Sequence, residues 1–195
     1  MDTRQKENIR ITPEAYLAFE KTSQIKHEYL NGEIFAMTGG SLDHNQINGN
    51  IFNQLKNKLR GSSCRPFTND MRVKIKEIDK YTYPDIAVVC GEIELESIKD
   101  VETLLNPIVI IEILSSATEL YDRGKKFRHY RQIDSLQEYI LVSQYNCLVE
   151  RFVRGDKGIW QILTPYTHMS QSVNIEAIDC ELKLSDVYEL VEFKA

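Results

Sequence analysis

The chain has 195 residues, 42% of them apolar and 27% charged, which is typical of an ordinary globular protein whose length suits one domain. No window approaches about 18 uninterrupted apolar residues, which excludes a transmembrane helix, and Met1 to Arg10 lack the apolar region of a secretory signal. We therefore expect a cytoplasmic protein.

The charged residues are unevenly spread. The net charge of −5 argues against a nucleic-acid-binding protein. However, residues 54–76 contain seven Lys or Arg and one Asp, and residues 121–131 contain five Lys or Arg and one Asp. A local basic patch of this kind can bind a phosphate backbone despite the acidic total. The alternative is that both stretches are solvated surface.

The cysteines lie far apart in the sequence. No Cys-x-x-Cys motif occurs, which argues against a structural zinc site. In a reducing compartment the simplest expectation is free thiols without a disulfide. These cysteines are Cys64, Cys90, Cys147 and Cys180.

The N-terminal third contains the clearest local signals. After a polar leader over residues 1–11, Thr12 and Pro13 predict the start of a helix that runs to about Ser23. Asn31-Gly32 between two short apolar runs predicts a β-hairpin over residues 29–35. A second helix is predicted from Ser41 to about Leu59, because apolar residues recur every four positions.

The remainder alternates strand and helix signals. A strand over Ile108–Leu114 is the most apolar and is expected to be central, and Glu119–Ile133 is expected to be helical. The acidic segment Glu92–Asn106 is interpreted as a loop with a short helical turn. The other predicted strands are 64–67, 71–75, 82–89, 138–142, 147–153, 159–163 and 172–175, with a last helix over 185–191. This mixture predicts a single α/β or α+β domain over residues 1–195 with a mixed central sheet flanked by helices.

Two of the strands carry one carboxylate each. Glu112 is flanked by Ile110, Ile111, Ile113 and Leu114, and a buried acid is costly unless it is paired or holds a metal. Asp85 follows Pro84 in a second apolar run, where the alternative is a strand-end turn or capping residue. If the strands are neighbours, their acidic oxygens converge on one site.

Carboxylates suit Mg²⁺ or Mn²⁺, which prefer oxygen ligands. The His and Cys spacing that zinc requires is absent. The metal is expected to bind a phosphate oxygen and to lower the pKa of a water. We therefore hypothesise a metal-dependent phosphodiester-cleaving site.

The following helix could supply the cations. Asp122, Lys126 and Tyr130 share one face at four-residue intervals, where a lysine could stabilise charge on phosphorus. Lys125 and Arg128 lie on other faces and could contact the phosphate backbone. The alternative is a surface helix with an ordinary Asp–Lys pair.

Two further candidates come from the N-terminal part of the chain. Glu28 precedes the hairpin turn and could point towards the carboxylates. His44 lies in the first turn of the second helix, where it could meet a phosphate or simply a neighbouring backbone group.

The ordered combination of these segments resembles the Uma2 family, also called DUF820, of restriction-endonuclease-like proteins within the PD-(D/E)xK nuclease superfamily. The likeness extends over about residues 11–192, and no single motif within it is specific. The matching segments are residues 12–17, 28–34, His44, 84–88, 111–115, Asp122, Lys126, Tyr130 and 138–142.

The resemblance implies a restriction-endonuclease-like fold with Asp85 and Glu112 as metal ligands and Lys126 as the catalytic lysine. Glu28 would be an accessory acid. One departure is Leu114, which stands where the wider superfamily motif has its lysine. The lysine is then supplied by the helix, and Lys125 competes with Lys126 for this role.

Two functions remain open from the sequence. The first is a Mg²⁺-dependent or Mn²⁺-dependent DNA endonuclease, for which a homodimer would be the expected way to cut two strands. The second is a non-catalytic nucleic-acid-binding or scaffold protein that keeps the fold, which the acidic net charge and Leu114 favour.

Overall fold

The structure is a computed structural model that describes residues 10–193. Residues 1–9 of the predicted leader lie outside the described residues. At its end, the Ile11 N–H donates to the Gly32 carbonyl at 3.1 Å, which joins the chain to the first hairpin. Within the described range no helix is both long and apolar enough to cross a bilayer.

Strands form two six-stranded sheets and a separate hairpin. The first sheet has the order β2-β1-β5-β4-β8-β7 and the second β12-β11-β10-β9-β6-β3, while β13 pairs with β14. The strands are β1 (His27–Leu30), β2 (Glu33–Ala36), β3 (Cys64–Thr68), β4 (Val73–Ile75), β5 (Lys80–Thr82), β6 (Ile86–Cys90), β7 (Leu95–Ile98), β8 (Val101–Leu104), β9 (Val109–Leu114), β10 (Glu138–Ser143), β11 (Val149–Arg154), β12 (Trp160–Ile162), β13 (Ser172–Ile175) and β14 (Cys180–Lys183).

The helices are few and mostly short. They are α1 (Pro13–Glu20), α2 (Leu42–Lys58), α3 (Glu119–Tyr121), α4 (Phe127–Tyr130) and α5 (Leu184–Val187), with a π-helical turn (Asp122–Lys126) between α3 and α4. The last helix is therefore shorter than the predicted 185–191. The whole is a mixed α+β fold, as predicted; the organisation into a single domain stays a prediction.

The local signals near the N-terminus formed the expected elements. Thr12 Oγ1 accepts the Ala15 N–H at 3.3 Å and caps α1, although the helix ends at Glu20 and not at Ser23. Asn31 and Gly32 both have positive φ (46° and 94°), as the tight turn of the β1–β2 hairpin requires. Ser41 caps α2 by accepting the His44 N–H at 3.1 Å.

The predicted strand over 82–89 is wrong as a single element. β5 ends at Thr82 in the first sheet, and β6 begins at Ile86 in the second. Pro84 lacks the N–H that a continuing ladder needs, so the chain leaves one sheet and enters the other at this point. Asp85 consequently lies at the junction of the two sheets.

The interpretation of Glu92–Asn106 as a loop with a helical turn is also wrong. The segment forms the antiparallel hairpin β7–β8, with Leu95 opposite Leu104 at the edge of the first sheet. Its turn residues Lys99 and Asp100 have φ of 52° and 64°. Neither is glycine, so the turn signal is missing from the sequence although the geometry is that of a two-residue hairpin.

β9 is central to the second sheet, as predicted, and separates two packed layers. It runs parallel to β10 and antiparallel to β6. Val109, Ile111 and Ile113 pack with the apolar stripe of α2, and also with the C-terminal elements. Ile110 and Leu114 face the other layer, where residues of β4, β8 and α4 meet them. By alternation Glu112 points into this second layer.

The helix predicted over Glu119–Ile133 is interrupted and ends at Tyr130. The interruption is a π-helical turn that includes Gly124, a residue whose low helix propensity disfavours a regular α-helix. It leaves Asp122 and Lys126 buried on the side that faces the sheets.

The expectation of free thiols at all the cysteines is wrong. Cys64 and Cys90 form a disulfide between β3 and β6, while Cys147 and Cys180 are free. The two bonded residues are direct partners in the antiparallel register, with Cα atoms 3.9 Å apart. This pairing depends on strand register, so it was not predictable from two cysteines that lie 26 residues apart along the chain.

Candidate active site

A cavity of about 710 Å³ opens where the two sheets meet. Its wall combines the loop before α2, the start of α2, the junction between β5 and β6, and the loop after β9. Five of the predicted site residues line it: His44, Asp85, Glu112, Asp122 and Lys126.

Asp85 is fixed at the cavity by two hydrogen bonds to one carboxylate oxygen. Oδ2 accepts the Ile113 N–H of β9 at 2.8 Å and lies 3.2 Å from His44 Nε2. These contacts set the carboxylate beside the strand that carries Glu112. No residue of the described chain donates to Oδ1, and the side chain keeps 14% exposure towards the cavity.

Glu112 is almost fully buried, yet it keeps one oxygen available. Oε1 accepts a hydrogen bond from the Tyr130 hydroxyl at 2.9 Å and lies 2.7 Å from Lys126 Nζ. Oε2 receives no hydrogen bond from residues 10–193. Burial raises the pKa of Glu112 to about 8; Lys126 opposes this rise, and the nearby carboxylates of Asp85 and Asp122 reinforce it.

Lys126 lies between two acids. Besides Glu112, its Nζ is 3.3 Å from Asp122 Oδ1, an oxygen that is buried and accepts no hydrogen bond in the described chain. Burial opposes the charge of this ammonium, but the combined effect of Glu112, Tyr130, Asp122 and Glu28 outweighs it and raises the pKa of Lys126 well above its ordinary value. The lysine is therefore charged at neutral pH.

Glu28 does not line the cavity, but a series of side-chain contacts through Thr82 and Tyr130 connects it to Glu112. Its carboxylate accepts the Thr82 hydroxyl and pairs with Lys80 Nζ at 3.0 Å. Thr82 Oγ1 lies 3.3 Å from the Tyr130 hydroxyl, which in turn donates to Glu112. Burial raises the pKa of Glu28, but the Lys126 and Lys80 ammonium groups, together with the hydrogen bond from Thr82, outweigh it and lower the pKa overall.

The two remaining basic candidates lie elsewhere. Lys125 and Arg128 are exposed and line no part of the cavity. Among the lysines that competed for the site, the structure brings Lys126 to Glu112 and leaves Lys125 on the surface. Tyr130 is fully buried, so it contacts Glu112 without facing the cavity.

Three residues that sequence reasoning missed complete this arrangement. Lys80 is 1% exposed and balances Glu28; Thr82 links Glu28 to Tyr130. Gln144 is buried in the loop after β10, where it accepts the Ser41 hydroxyl and donates to the Leu114 carbonyl at 2.8 Å. Each contact joins segments distant in sequence, so local pattern held no signal for it.

The residues present fit a hard divalent cation with few protein ligands. Asp85 and Glu112 both line the cavity, and each has one carboxylate oxygen without a donor in residues 10–193. Asp122 adds a buried oxygen without a hydrogen bond in the same range. In residues 10–193, no three His, Cys, Asp or Glu side chains form a ready-made metal cluster. Mg²⁺ can bind with so few protein ligands, because it commonly takes one or two carboxylates and completes its coordination shell with water and phosphate oxygens.

Comparison with known proteins agrees with this architecture. The model of the Uma2 family, described as "Putative restriction endonuclease", matches residues 13–185. Two uncharacterized Synechocystis proteins are each 33% identical to the chain. One, slr1290, aligns over 184 residues (94% of both chains), and the other, sll1609, over 166 residues (85% of this chain and 92% of that protein).

The fold recurs in a solved structure. A crystal structure from Anabaena variabilis, titled as a "putative nuclease belonging to DUF820", superposes with a TM-score of 0.73 at 19% identity, covering 93% of this chain and 99% of that one. This likeness confirms the predicted nuclease-like fold. Together with the family match over most of the sequence, it shows that the chain belongs to the Uma2 family of restriction-endonuclease-like proteins.

Proposed function

We propose that the protein is a metal-dependent DNA endonuclease that hydrolyses phosphodiester bonds. The observation that carries the proposal is the convergence of Asp85, Glu112 and Lys126 on one cavity, with a free oxygen on each of the two carboxylates. Mg²⁺ or Mn²⁺ held by these oxygens would neutralise phosphate charge and acidify a water.

The protein side chains have separate tasks in this reaction. The Asp85 carboxylate is oriented by the Ile113 N–H and by His44, so the ligand oxygen is placed before a cation arrives. The Tyr130 hydroxyl and Lys126 hold the other ligand, Glu112, by one oxygen and leave the second oxygen free. The Lys126 ammonium, which lies beside Glu112 and Asp122, would stabilise the negative charge that develops on a bound phosphate.

The direct test is cleavage of plasmid DNA and of single-stranded DNA in Mg²⁺ or Mn²⁺. We expect the wild type to nick plasmid DNA, and the variants Asp85→Asn and Glu112→Gln to lose that activity while remaining folded. Asp100→Asn is the matched control, because its carboxylate is 96% exposed in the β7–β8 turn, outside the cavity. Absence of cleavage of both plasmid and single-stranded DNA by the wild type in either metal, or equal cleavage by all the variants, would contradict the proposal.

One observation favours the alternative of a non-catalytic protein that keeps the fold. Lys126 and Tyr130 already occupy Glu112 Oε1, and burial disfavours the charged form of this carboxyl. A Glu112 carboxyl that stays protonated while Lys126 and Tyr130 hold its Oε1 would not bind a cation. Calorimetry with Mn²⁺ separates the two functions, because binding that disappears in Glu112→Gln supports the nuclease and the absence of any binding supports the alternative.

A further inference from the structure

The chemical groups of the proposed nuclease site lie at the floor of the cavity. The side chains of Glu112 and Lys126 are 5% and 10% exposed, and that of Asp85 is 14% exposed. A phosphate must therefore enter the cavity to reach them. A stacked duplex is stiff over many base pairs and resists the sharp local bend that would bring its phosphate into the cavity, whereas an unpaired strand bends freely.

The charge of the cavity wall offers little attraction for any phosphate backbone. Carboxylates outnumber ammonium groups there; the acids are Asp43, Asp85, Glu112, Asp122 and Glu192, and the lysines are Lys26 and Lys126. Both lysines are already paired, since Lys26 Nζ lies 2.5 Å from Asp70 Oδ1 and Lys126 contacts Glu112. This wall can neutralise few phosphate charges, so the binding affinity for a polynucleotide has to come mainly from contacts other than ion pairs.

Tyr145 provides a surface for such contacts at the same cavity. It lines the wall and is 48% exposed. Its hydroxyl is not the free part, because it accepts the Ser116 N–H at 2.7 Å. The exposed surface therefore belongs mainly to the ring. An exposed aromatic ring beside a phosphodiester site is the usual platform on which an unpaired base stacks.

The ring is also held in place before any ligand binds. The Tyr145 N–H donates to Ser143 Oγ at 3.1 Å, and the preceding residue, Gln144, is bound to β9 through the Leu114 carbonyl. The hydroxyl contact joins Tyr145 to the loop between Glu112 and Lys126. A rigid aromatic group loses little conformational freedom on binding, which favours affinity.

From these observations we infer that the site takes single-stranded or unpaired polynucleotide, with a base stacked on Tyr145 while the adjoining phosphate enters the cavity. This inference rests on the proposed nuclease function and specifies its substrate class. Tyr145 then contacts the substrate directly and decides which nucleic acids the site accepts.

The test measures binding by fluorescence anisotropy in Ca²⁺, with cleavage in Mg²⁺ scored separately on gels. The probes are a short labelled oligothymidylate, a polymer of abasic sugar phosphates of equal length, and the matching duplex. The variants are Tyr145→Leu, which removes the aromatic ring, and Tyr145→Phe, which keeps it. Phe35→Leu is the matched control, since Phe35 is 47% exposed and lies outside the cavity wall.

We expect Tyr145→Leu to weaken oligothymidylate binding about tenfold, as the loss of one stacked base predicts. Tyr145→Phe and Phe35→Leu should leave it nearly unchanged. The abasic polymer should bind the wild type about tenfold more weakly than oligothymidylate, with no further loss in Tyr145→Leu, because the partner of the ring is already missing. The duplex should bind more weakly than the single strand.

The inference is overturned if Tyr145→Leu leaves oligothymidylate binding intact, if it weakens both polymers equally, or if no single strand binds. It is also overturned if the duplex binds more tightly and independently of Tyr145. The gels keep the two proposals apart. Stacking behaviour without cleavage contradicts the nuclease alone, whereas plasmid cleavage at equal rates by the wild type and Tyr145→Leu, without the stacking pattern, contradicts this inference alone.

Discussion

Two neighbouring strands of the second sheet each bury one glutamate, and the two are held differently. Glu138 on β10 is 1% exposed, and Arg151 donates to its Oε2 from two nitrogens at 3.0 and 2.8 Å. The Ala177 N–H donates to its other oxygen at 2.9 Å. Glu112 on β9 is 3% exposed and has one oxygen without a donor in the described chain.

The role of a buried carboxylate depends on how many hydrogen-bond donors surround it. Glu138 has a full set of donors inside the protein, so its charge is compensated for the sake of the fold. Glu112 is only half satisfied and faces a cavity, so its remaining oxygen is available to a ligand. Burial alone identifies neither role; the number of donors and the presence of open space distinguish them.

The largest expected effect concerns stability. Glu138→Gln should lower the free energy of unfolding by about 3–5 kcal/mol, because Arg151 would remain buried with its principal partner removed. Glu112→Gln should cost less than about 1 kcal/mol, since the amide still accepts from Tyr130 and Lys126 keeps Asp122. Urea unfolding measures both changes in the free energy of unfolding, and equal losses would contradict the proposed difference between the two glutamates.

The second effect concerns the two adjacent lysines. Lys126→Met should slow single-turnover DNA cleavage about a hundredfold, because it removes the one ammonium in contact with Glu112 among the described residues. Lys125→Met is the matched control and should leave the rate almost unchanged, since that side chain is exposed outside the cavity. A larger loss in Lys125→Met would move the catalytic role to the surface lysine.

The third effect is the pH dependence of metal binding. The pKa of Glu112 is raised to about 8, so at lower pH the carboxyl carries a proton that a cation must displace. Mn²⁺ affinity should therefore weaken by about tenfold for each pH unit below that pKa. Calorimetric titrations at several pH values check this, and an affinity that does not change with pH in this range would show that Glu112 does not bind the cation.

The smallest effect concerns the support of Asp85. A Cβ at Gly40 would lie 2.6 Å from His44 Nδ1, so Gly40→Ala should displace the imidazole from Asp85. Loss of this hydrogen bond should weaken Mn²⁺ binding about fivefold. Gly39→Ala is the control, because its Cβ would meet nothing within 4 Å. Equal affinities in the two variants would mean that His44 does not orient the ligand.

Local pattern was sufficient for much of the fold. The Asn31-Gly32 turn, the cap at Ser41 and the apolar run of β9 depend on neighbouring residues, so their elements were predictable. The break at Pro84 and the β7–β8 hairpin were not predicted. In the first case the chain changes sheets within one apolar run, and in the second non-glycine residues adopt positive φ.

The candidate site was predictable only in part, for a related reason. An acid within an apolar strand indicated a functional role for Glu112, but the same pattern occurs at Glu138. The Arg151 partner of Glu138 is evident only from the pairing of β11 with β10. Lys80 pairs with Glu28, and the Tyr145 hydroxyl accepts the Ser116 N–H; each contact joins segments that are distant in the sequence. Spacing along one helix did group Lys126 with Asp122, because a single element positions both.

The most direct test of the difference between the two glutamates is Mn²⁺ calorimetry on the wild type, Asp85→Asn, Glu112→Gln and Asp100→Asn. We expect binding by the wild type and by Asp100→Asn, and none by the two cavity variants. Binding that persists in Glu112→Gln, or no binding by the wild type, would contradict the claim that the free oxygens of Asp85 and Glu112 form a metal site.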